Sequence, residues 1–372
     1  MKQILLLYFL VHSSCFGHAQ GITFKSNSRL ILGDFKEKTA SIGFGDIDND
    51  GDEDAIIANG RHWPQPNRIM LNNGRGVFTV SKYLGDLSET SYATELADFD
   101  GDGDLDIAVG NDMAPNVIFM NDGEGNFRQV GNFGERYSST RNLKIADIDN
   151  DGDEDILITN RGMENEICLN DGSGGFAEVI NFGTNNDSTI DVEVVDIDQD
   201  NDMDLVLANR DGQQNFVYLN DGGMRLDTKI PFGTGTDETR AVEAADIDND
   251  GFIDLITANI GEPNVVYFGA EGLNFTRKST FDPGKNRSYS LTTGDLNLDG
   301  TIDIVVANSG EPNKVFLNLN NGEKWDEIKL NKQKLATYDI ALADLNNDGR
   351  LDIIESNSDD INYYYLNIEA KR

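Results

Sequence analysis

Residues 46–54 read DIDNDGDED, six acidic side chains in nine positions. A run this acidic repels itself, so it belongs to a disordered tract, a catalytic carboxylate cluster or a cation site. Recurrence decides. Related nonapeptides begin at Asp98, Asp147, Asp196, Asp246, Asp295 and Asp344, spaced 49 to 52 residues apart: DFDGDGDLD, DIDNDGDED, DIDQDNDMD, DIDNDGFID, DLNLDGTID and DLNNDGRLD. A unit used seven times at such a period marks a propeller or another repeat array and excludes a disordered tract.

Each repeat has one grammar. A segment alternating apolar with small or polar residues, such as NLKIADI (142–148) or VEVVDI (192–197), leads into the acidic loop. An apolar run follows, as in DILITN (155–160) or DIVVAN (303–308), always closing on asparagine: Asn59, Asn111, Asn160, Asn209, Asn259, Asn308 or Asn357. After a short loop comes a third run such as NVIFMNDG (116–123), then a Gly/Asn turn and a fourth segment such as GNFRQVGNFG (125–134). Turn residues separate the four segments, and helical periodicity is absent. The pattern predicts an all-β fold, a seven-bladed β-propeller of four-stranded blades. The last copy stops after its third strand, at INYYYLNIEAKR (361–372), while ITFKSNSRLILGDF (22–35) precedes the first acidic loop as an orphan. The N-terminal strand is expected to join the C-terminal blade and close the ring, making residues 20–372 a single domain.

Spacing within the loop suits a hard cation. Position 1 is Asp46, Asp98, Asp147, Asp196, Asp246, Asp295 or Asp344, and position 3 is Asp48, Asp100, Asp149, Asp198, Asp248, Asn297 or Asn346. Position 5 is Asp50, Asp102, Asp151, Asp200, Asp250, Asp299 or Asp348, and position 9 is Asp54, Asp106, Asp155, Asp204, Asp254, Asp303 or Asp352. Oxygens at 1, 3 and 5 with a glycine at 6 follow the start of an EF-hand loop, and oxygen-only ligation favours Ca²⁺ over zinc or copper. Up to seven structural Ca²⁺ ions are expected. Carboxylates saturated by a cation make poor general acids, which sets the catalytic reading of the loop aside. In the fourth copy Asn201 replaces the glycine, a residue that also visits the left-handed region. Asn297 and Asn346 lower the charge of the last two loops, whereas Asp52, Asp104, Asp153 and Asp202 add charge at position 7 of the first four. The first half of the chain is therefore expected to depend most on metal.

With 66 acidic against 30 basic residues and a net charge of −36, a nucleic-acid partner is excluded on charge. Divalent ions in the loops would offset part of that charge. The 38% hydrophobic composition supports a sizeable core. Residues 1–19 read as a signal peptide, with Lys2 before the apolar run from Ile4 to Val11 and small residues near the cut. The protein is thus expected to be secreted or periplasmic, without a transmembrane segment, and monomeric. Cys15 supplies a lipoprotein alternative. Removing the leader leaves Cys168 as the remaining cysteine, so no disulfide framework forms within the chain, and Cys168 reads as a small core residue.

The D-x-[DN]-x-D-G-x-x-D loop, the trailing Ala-Asn, the NDGxGxF turn and the Phe-Gly pairs at Phe133–Gly134, Phe182–Gly183 and Phe232–Gly233 resemble FG-GAP/VCBS repeats. The integrin α-subunit propeller is a relative of these. The resemblance covers essentially all of the chain beyond the leader. It implies the propeller and calcium, and a role as an adhesion module, a lectin or a scaffold for polysaccharide-degrading enzymes. Fold alone does not choose among these.

Function is sought where the repeat breaks its own symmetry. The loop between second and third strands is four residues long in most copies, but in the first it is GRHWPQP (60–66), with Arg61, His62 and Trp63. Arg161 and Arg210 follow their asparagines in two further loops of this type. Six residues before the acidic loops stand Ala40, Tyr92, Arg141, Ile190, Arg240, Tyr289 and Tyr338. Strand direction puts both sets on the face opposite the acidic loops. Arg61, His62, Trp63, Tyr92, Arg141, Arg161, Arg210, Arg240, Tyr289 and Tyr338 are thus expected around one mouth of the central channel. Aromatic faces stack on sugars and guanidinium forks hold carboxylate or sulfate. The plainer reading is that these side chains cap the inner strands. Glu95, Lys144, Glu193 and Glu243, three residues before their loops, are expected to line a wet channel. The favoured function is a non-catalytic module binding a glycan or a cell-surface protein. The alternative is a polysaccharide lyase on a uronic-acid polymer, with His62, Tyr92, Arg141 and Tyr289 as the catalytic candidates.

Overall fold

The computed structural model describes residues 21–330 and 332–369; the expected leader, with Cys15, lies outside them. All regular structure is β, in 28 strands. Five sheets have four antiparallel strands each, for example Ser91–Ala97, Asp106–Asn111, Asn116–Met120 and Arg128–Phe133. The rest join one eight-stranded sheet that divides into two such units. One runs from Glu37–Gly45 to Val80–Tyr83. The other comprises Thr337–Ala343, Asp352–Asp360, Tyr364–Glu369 and the N-terminal strand Ile22–Lys25. Six repeats plus this terminal unit fit the seven blades expected.

Ring closure follows the expected route. Ile22–Lys25 is the outer strand of the last unit, in register Ile22↔Glu369 to Lys25↔Leu366. What the sequence did not announce is the bridge between first and last units, Glu37↔Asp360 and Lys38↔Ser358. It arises because the second strand of the last unit, Asp352–Asp360, runs on past Asn357.

Second strands are buried from their first aspartate to their asparagine, as in Asp54–Asn59 and Asp155–Asn160, because other blades cover both faces. Apolar cores lie between blades rather than within them. Ile56, Ile69, Ile107, Val117 and Phe119 fill the gap between the first two. Leu32, Ile42, Ile57, Ile354 and Tyr364 do so between the last and the first. Cys168 is fully buried in such a core, and burial pushes its thiol pKa up. The described residues contain no helix long and apolar enough to cross a membrane.

A belt of asparagine and hydroxyl side chains links the blades near the mouth face. Thr39 donates to Asn59 Oδ1 (2.9 Å), and Asn67 donates to Ser91 of the next blade (2.9 Å). The pattern recurs in most blades, with Asn116 Nδ2 and Asn259 Oδ1 left without a partner, and Asn362 of the last blade donates to Thr39 of the first (3.1 Å). The recurrent asparagines therefore serve blade docking, satisfying buried strand ends that water cannot reach.

Candidate functional site

Acidic loops and channel mouth sit at opposite ends of the innermost strands. In the first blade Gly45 pairs with Asp54 at the loop end, and Thr39 pairs with Asn59 at the other. Each inner strand carries a bulge at the residue six before its loop: pairing skips from Thr39 to Ser41, from Ser91 to Ala93, and likewise in the other blades. A bulge re-aims the side chain it carries. Both Arg141 and Asn142, and both Tyr338 and Asp339, consequently face the channel, which strict alternation forbids.

Two cavities of about 130 and about 60 Å³ occupy the mouth. Arg61, His62, Tyr92, Arg141, Arg161, Arg210, Arg240, Tyr289 and Tyr338 line the larger one, together with Ile190. Trp63 does not; it is 67% exposed. Gly60 folds this loop tightly, with φ of 112°, and a Cβ there would meet Glu89 O at 2.1 Å. Backbone bonds between Gln65 and Glu89, 2.9 Å each way, pin the loop to the neighbouring connection.

The guanidinium groups divide into paired and unpaired. Arg141 Nη1 donates to Asp112 Oδ1 (2.8 Å), Arg161 Nη2 donates to Asp211 Oδ2 (2.8 Å), and Arg210 lies 3.3 Å from Asp211 Oδ1. Arg61 and Arg240 have no carboxylate partner among the described residues. Arg61 lies over the Tyr338 ring at 3.6 Å, and Arg240 faces Tyr289 at 5.6 Å. Burial lowers the pKa of Arg240, against the pull of Asp191. His62 stands between Tyr92 and Asp112, with Nε2 2.9 Å from the phenol oxygen and Nδ1 3.1 Å from Asp112 Oδ2. Burial raises the Tyr92 pKa, partly offset by Arg141. Sequence reading missed Asp112, although it fills the slot after Asn111 that Arg161 and Arg210 fill in their own repeats. It also missed Arg287, which donates to Tyr289 Oη (2.7 Å), and the bulge-exposed Asp191 and Asp339.

Below the mouth the channel turns acidic. Lys144 Nζ lies 2.7 Å from Glu193 Oε2. Burial works against the Lys144 ammonium, but Glu193, Glu243 and Asp191 outweigh it and raise its pKa. Burial pushes Glu95 up to about 7 and Glu243 up to about 8.

The acidic loops have the donor set of a hard-cation site. Asp46 accepts backbone hydrogens from Asp50 and Gly51 (3.0 and 2.9 Å), which shapes the turn. Asp54 accepts from Asn72 N at 2.7 Å and Ile47 N at 3.4 Å, so position 9 also staples the loop to its strands. Three acidic oxygens lie within 4.8 Å of one another in each of the first five loops, for example in Asp46, Asp48 and Asp50, or in Asp98, Asp100 and Asp106. At position 3, Oδ1 of Asp48, Asp100, Asp248 and Asn346 is buried with no hydrogen-bond partner. A buried orphan oxygen is costly, and a coordinated cation removes that cost. Fifth-loop Asp248 also pairs with Arg277, a competitor the sequence did not reveal. Position 7 turns sideways: Asn49 donates to Asp104 (2.8 Å) and Asn347 to Asp52 (2.8 Å), each linking one loop to the next.

A family model described as the FG-GAP-like repeat matches residues 46–109, 98–158, 147–207, 196–257, 246–306 and 295–355, each window opening on the first aspartate of an acidic loop. The chain belongs to this family. No curated protein sequence matches this FG-GAP-like chain. Among solved structures, BBS1N in complex with ARL6DN, soaked with lead, aligns with a TM-score of 0.62 at 12% identity, over 92% of this chain and 96% of that chain. The WD40 domain of coronin from Toxoplasma gondii aligns with a TM-score of 0.64 at 9% identity, over 95% of this chain and 88% of that chain. At such identities the likeness is one of fold: the FG-GAP-like repeats build an all-β propeller.

Proposed function

We propose that this FG-GAP-like propeller is a non-catalytic binding module that takes an anionic group of a glycan or protein ligand at the arginine- and tyrosine-lined mouth. A propeller repeat fold supports a binding role in general, and BBS1N is a propeller neighbour seen with a protein partner. The observation that carries the finer reading is the pair Arg61 and Arg240, guanidinium groups with no carboxylate in ion-pair contact among the described residues, in a cavity that Asp191 and Asp339 also line and a chain of net charge −36. Ca²⁺ in the acidic loops, held by the aspartates at positions 1, 3 and 5 with position 9 behind them, would neutralise carboxylates and stiffen the turns. A location outside the cytoplasm suits loops of this kind, which work at extracellular calcium.

Calorimetric titration with polygalacturonate, alginate, heparin and poly-glutamate tests the mouth. At least one is expected to bind, with affinity falling as salt rises and weakening about tenfold or more in Arg61→Gln/Arg240→Gln. Equal binding by the double variant, or no binding by the wild-type chain, refutes the reading.

The chain of contacts from Asp112 through His62 to Tyr92 favours one second reading, a lyase acting on a uronic-acid polymer. His62, oriented by Asp112, would accept the proton alpha to the carboxylate, Tyr92 would protonate the leaving oxygen, and the arginines would neutralise the carboxylate. Unsaturated product seen by ultraviolet absorbance, and lost in His62→Ala, would establish it over simple binding.

A further inference from the structure

Beside the mouth, on the same face, stand four large, mostly exposed apolar side chains: Trp63 (67% exposed), Leu87 (62%), Met113 (61%) and Tyr137 (54%), the last with Arg136 over its ring at 5.3 Å. They come from two kinds of loop and two blades, and contacts between the residues beside them hold these loops together. His62, next to Trp63, contacts Asp112, next to Met113. Met113 N donates to Ser138 O at 2.8 Å, next to Tyr137, while Gln65 pairs with Glu89, two residues from Leu87. Asp112 in turn holds Arg141 of the mouth.

Met113 is the most informative of the four. Its φ is +57°, and the corresponding residues of other blades, Gly162, Asp211, Gly261, Gly310 and Asp359, share a positive φ. Five of the other repeats fill the left-handed position with glycine or aspartate, which tolerate it, and the first has Arg61 there with φ of 35°. A methionine there is strained, and exposure gives it no packing in return. Backbone strain clusters at binding surfaces, and at Met113, unlike Leu298 of an acidic loop, it coincides with other exposed apolar side chains on the mouth face.

We propose that Trp63, Leu87, Met113 and Tyr137 form a docking surface for a second protein that sets an acidic side chain in the arginine mouth. Resting on the mouth as an anion site, the inference goes further by naming a protein partner rather than a glycan. Trp, Tyr, Met and Arg are the residues enriched where proteins meet, and exposed leucine and methionine offer nothing that a hydrated sugar requires. Charge complementarity points the same way. The mouth holds Arg61 and Arg240 unpaired, so the partner segment supplies the carboxylate and apolar neighbours cover the four side chains.

The test selects a displayed library of random peptides on the immobilised full chain, then measures affinities against wild type, Trp63→Ala, Met113→Gly and Arg240→Gln, beside the same acidic glycans. Peptides pairing an acidic residue with aromatic or aliphatic neighbours are expected to be enriched, and each variant is expected to weaken them about tenfold, the loss of one interface anchor. Met113→Gly restores the residue that sister loops carry, so its melting temperature is expected to equal or exceed that of wild type, separating binding from folding. Selected peptides that bind Trp63→Ala and Met113→Gly as tightly as wild type overturn the docking surface. So do glycans that bind through Arg240 with no peptide enriched, which leaves the anion mouth standing. Failure of peptides and glycans alike overturns both.

Discussion

Leu298 occupies the fourth position of the sixth acidic loop with φ of +58°, and it is 55% exposed. Asn49, Gly101, Asn150, Gln199, Asn249 and Asn347 hold the same position and conformation in the other loops. The loop therefore requires a left-handed residue twice, at positions four and six. Only the second was legible, because glycine there is nearly invariant among the copies, whereas asparagine at position four also reads as an ordinary polar turn residue. Asn201 at position six, with φ of +75°, adopts the conformation expected of it. A leucine in this region costs about 1 kcal/mol relative to a residue that tolerates it. Leu298→Asn is expected to stabilise the protein by about that amount in denaturant unfolding; a lower midpoint would show that the side chain has a stabilising role in the loop.

At the scale of the strand, the inner-strand bulge decides what the channel contains. Residues six and three before the acidic loop differ by an odd number, so plain alternation puts them on opposite faces. Both nonetheless reach the channel, and so do Asp191 and Asp339 between them, because the bulge adds a residue. Nine of the ten residues expected at the mouth line its cavity, whereas the channel aspartates were missed because no sequence signal marks the bulge. The result is a carboxylate-rich floor around Lys144. Glu95 near 7 and Glu243 near 8 lie above their ordinary 4.5, so the folded chain holds protons there that the unfolded chain has lost. Stability contributed by the protonated forms falls as pH rises through that window. The melting temperature of Glu95→Gln/Glu243→Gln is expected to decline less than that of wild type between about pH 5 and about pH 8. Parallel declines would show that water in the channel screens these groups.

Across the whole molecule, periodicity made the architecture readable. Seven copies of one loop fixed blade length, strand number and the pairing of Ile22–Lys25 with Tyr364–Glu369. The bridge between first and last units was not readable, since it depends on where one strand happens to stop. Symmetry also sorts the residues by role. What repeats is scaffold: the acidic loops, the asparagine belt and the cores between blades. What does not repeat gathers on the opposite face, in GRHWPQP (60–66), the unpaired arginines and Met113.

On the proposal that the acidic loops hold a cation, thermal unfolding of the full chain, in excess chelator and then at rising calcium, is the most direct test. A cation that binds the folded and not the unfolded chain adds about 2.7 kcal/mol per site at a hundred times its Kd. The melting temperature is expected to climb by several degrees and then saturate. An unchanged melting temperature from chelator to excess calcium would contradict a scaffold held by metal.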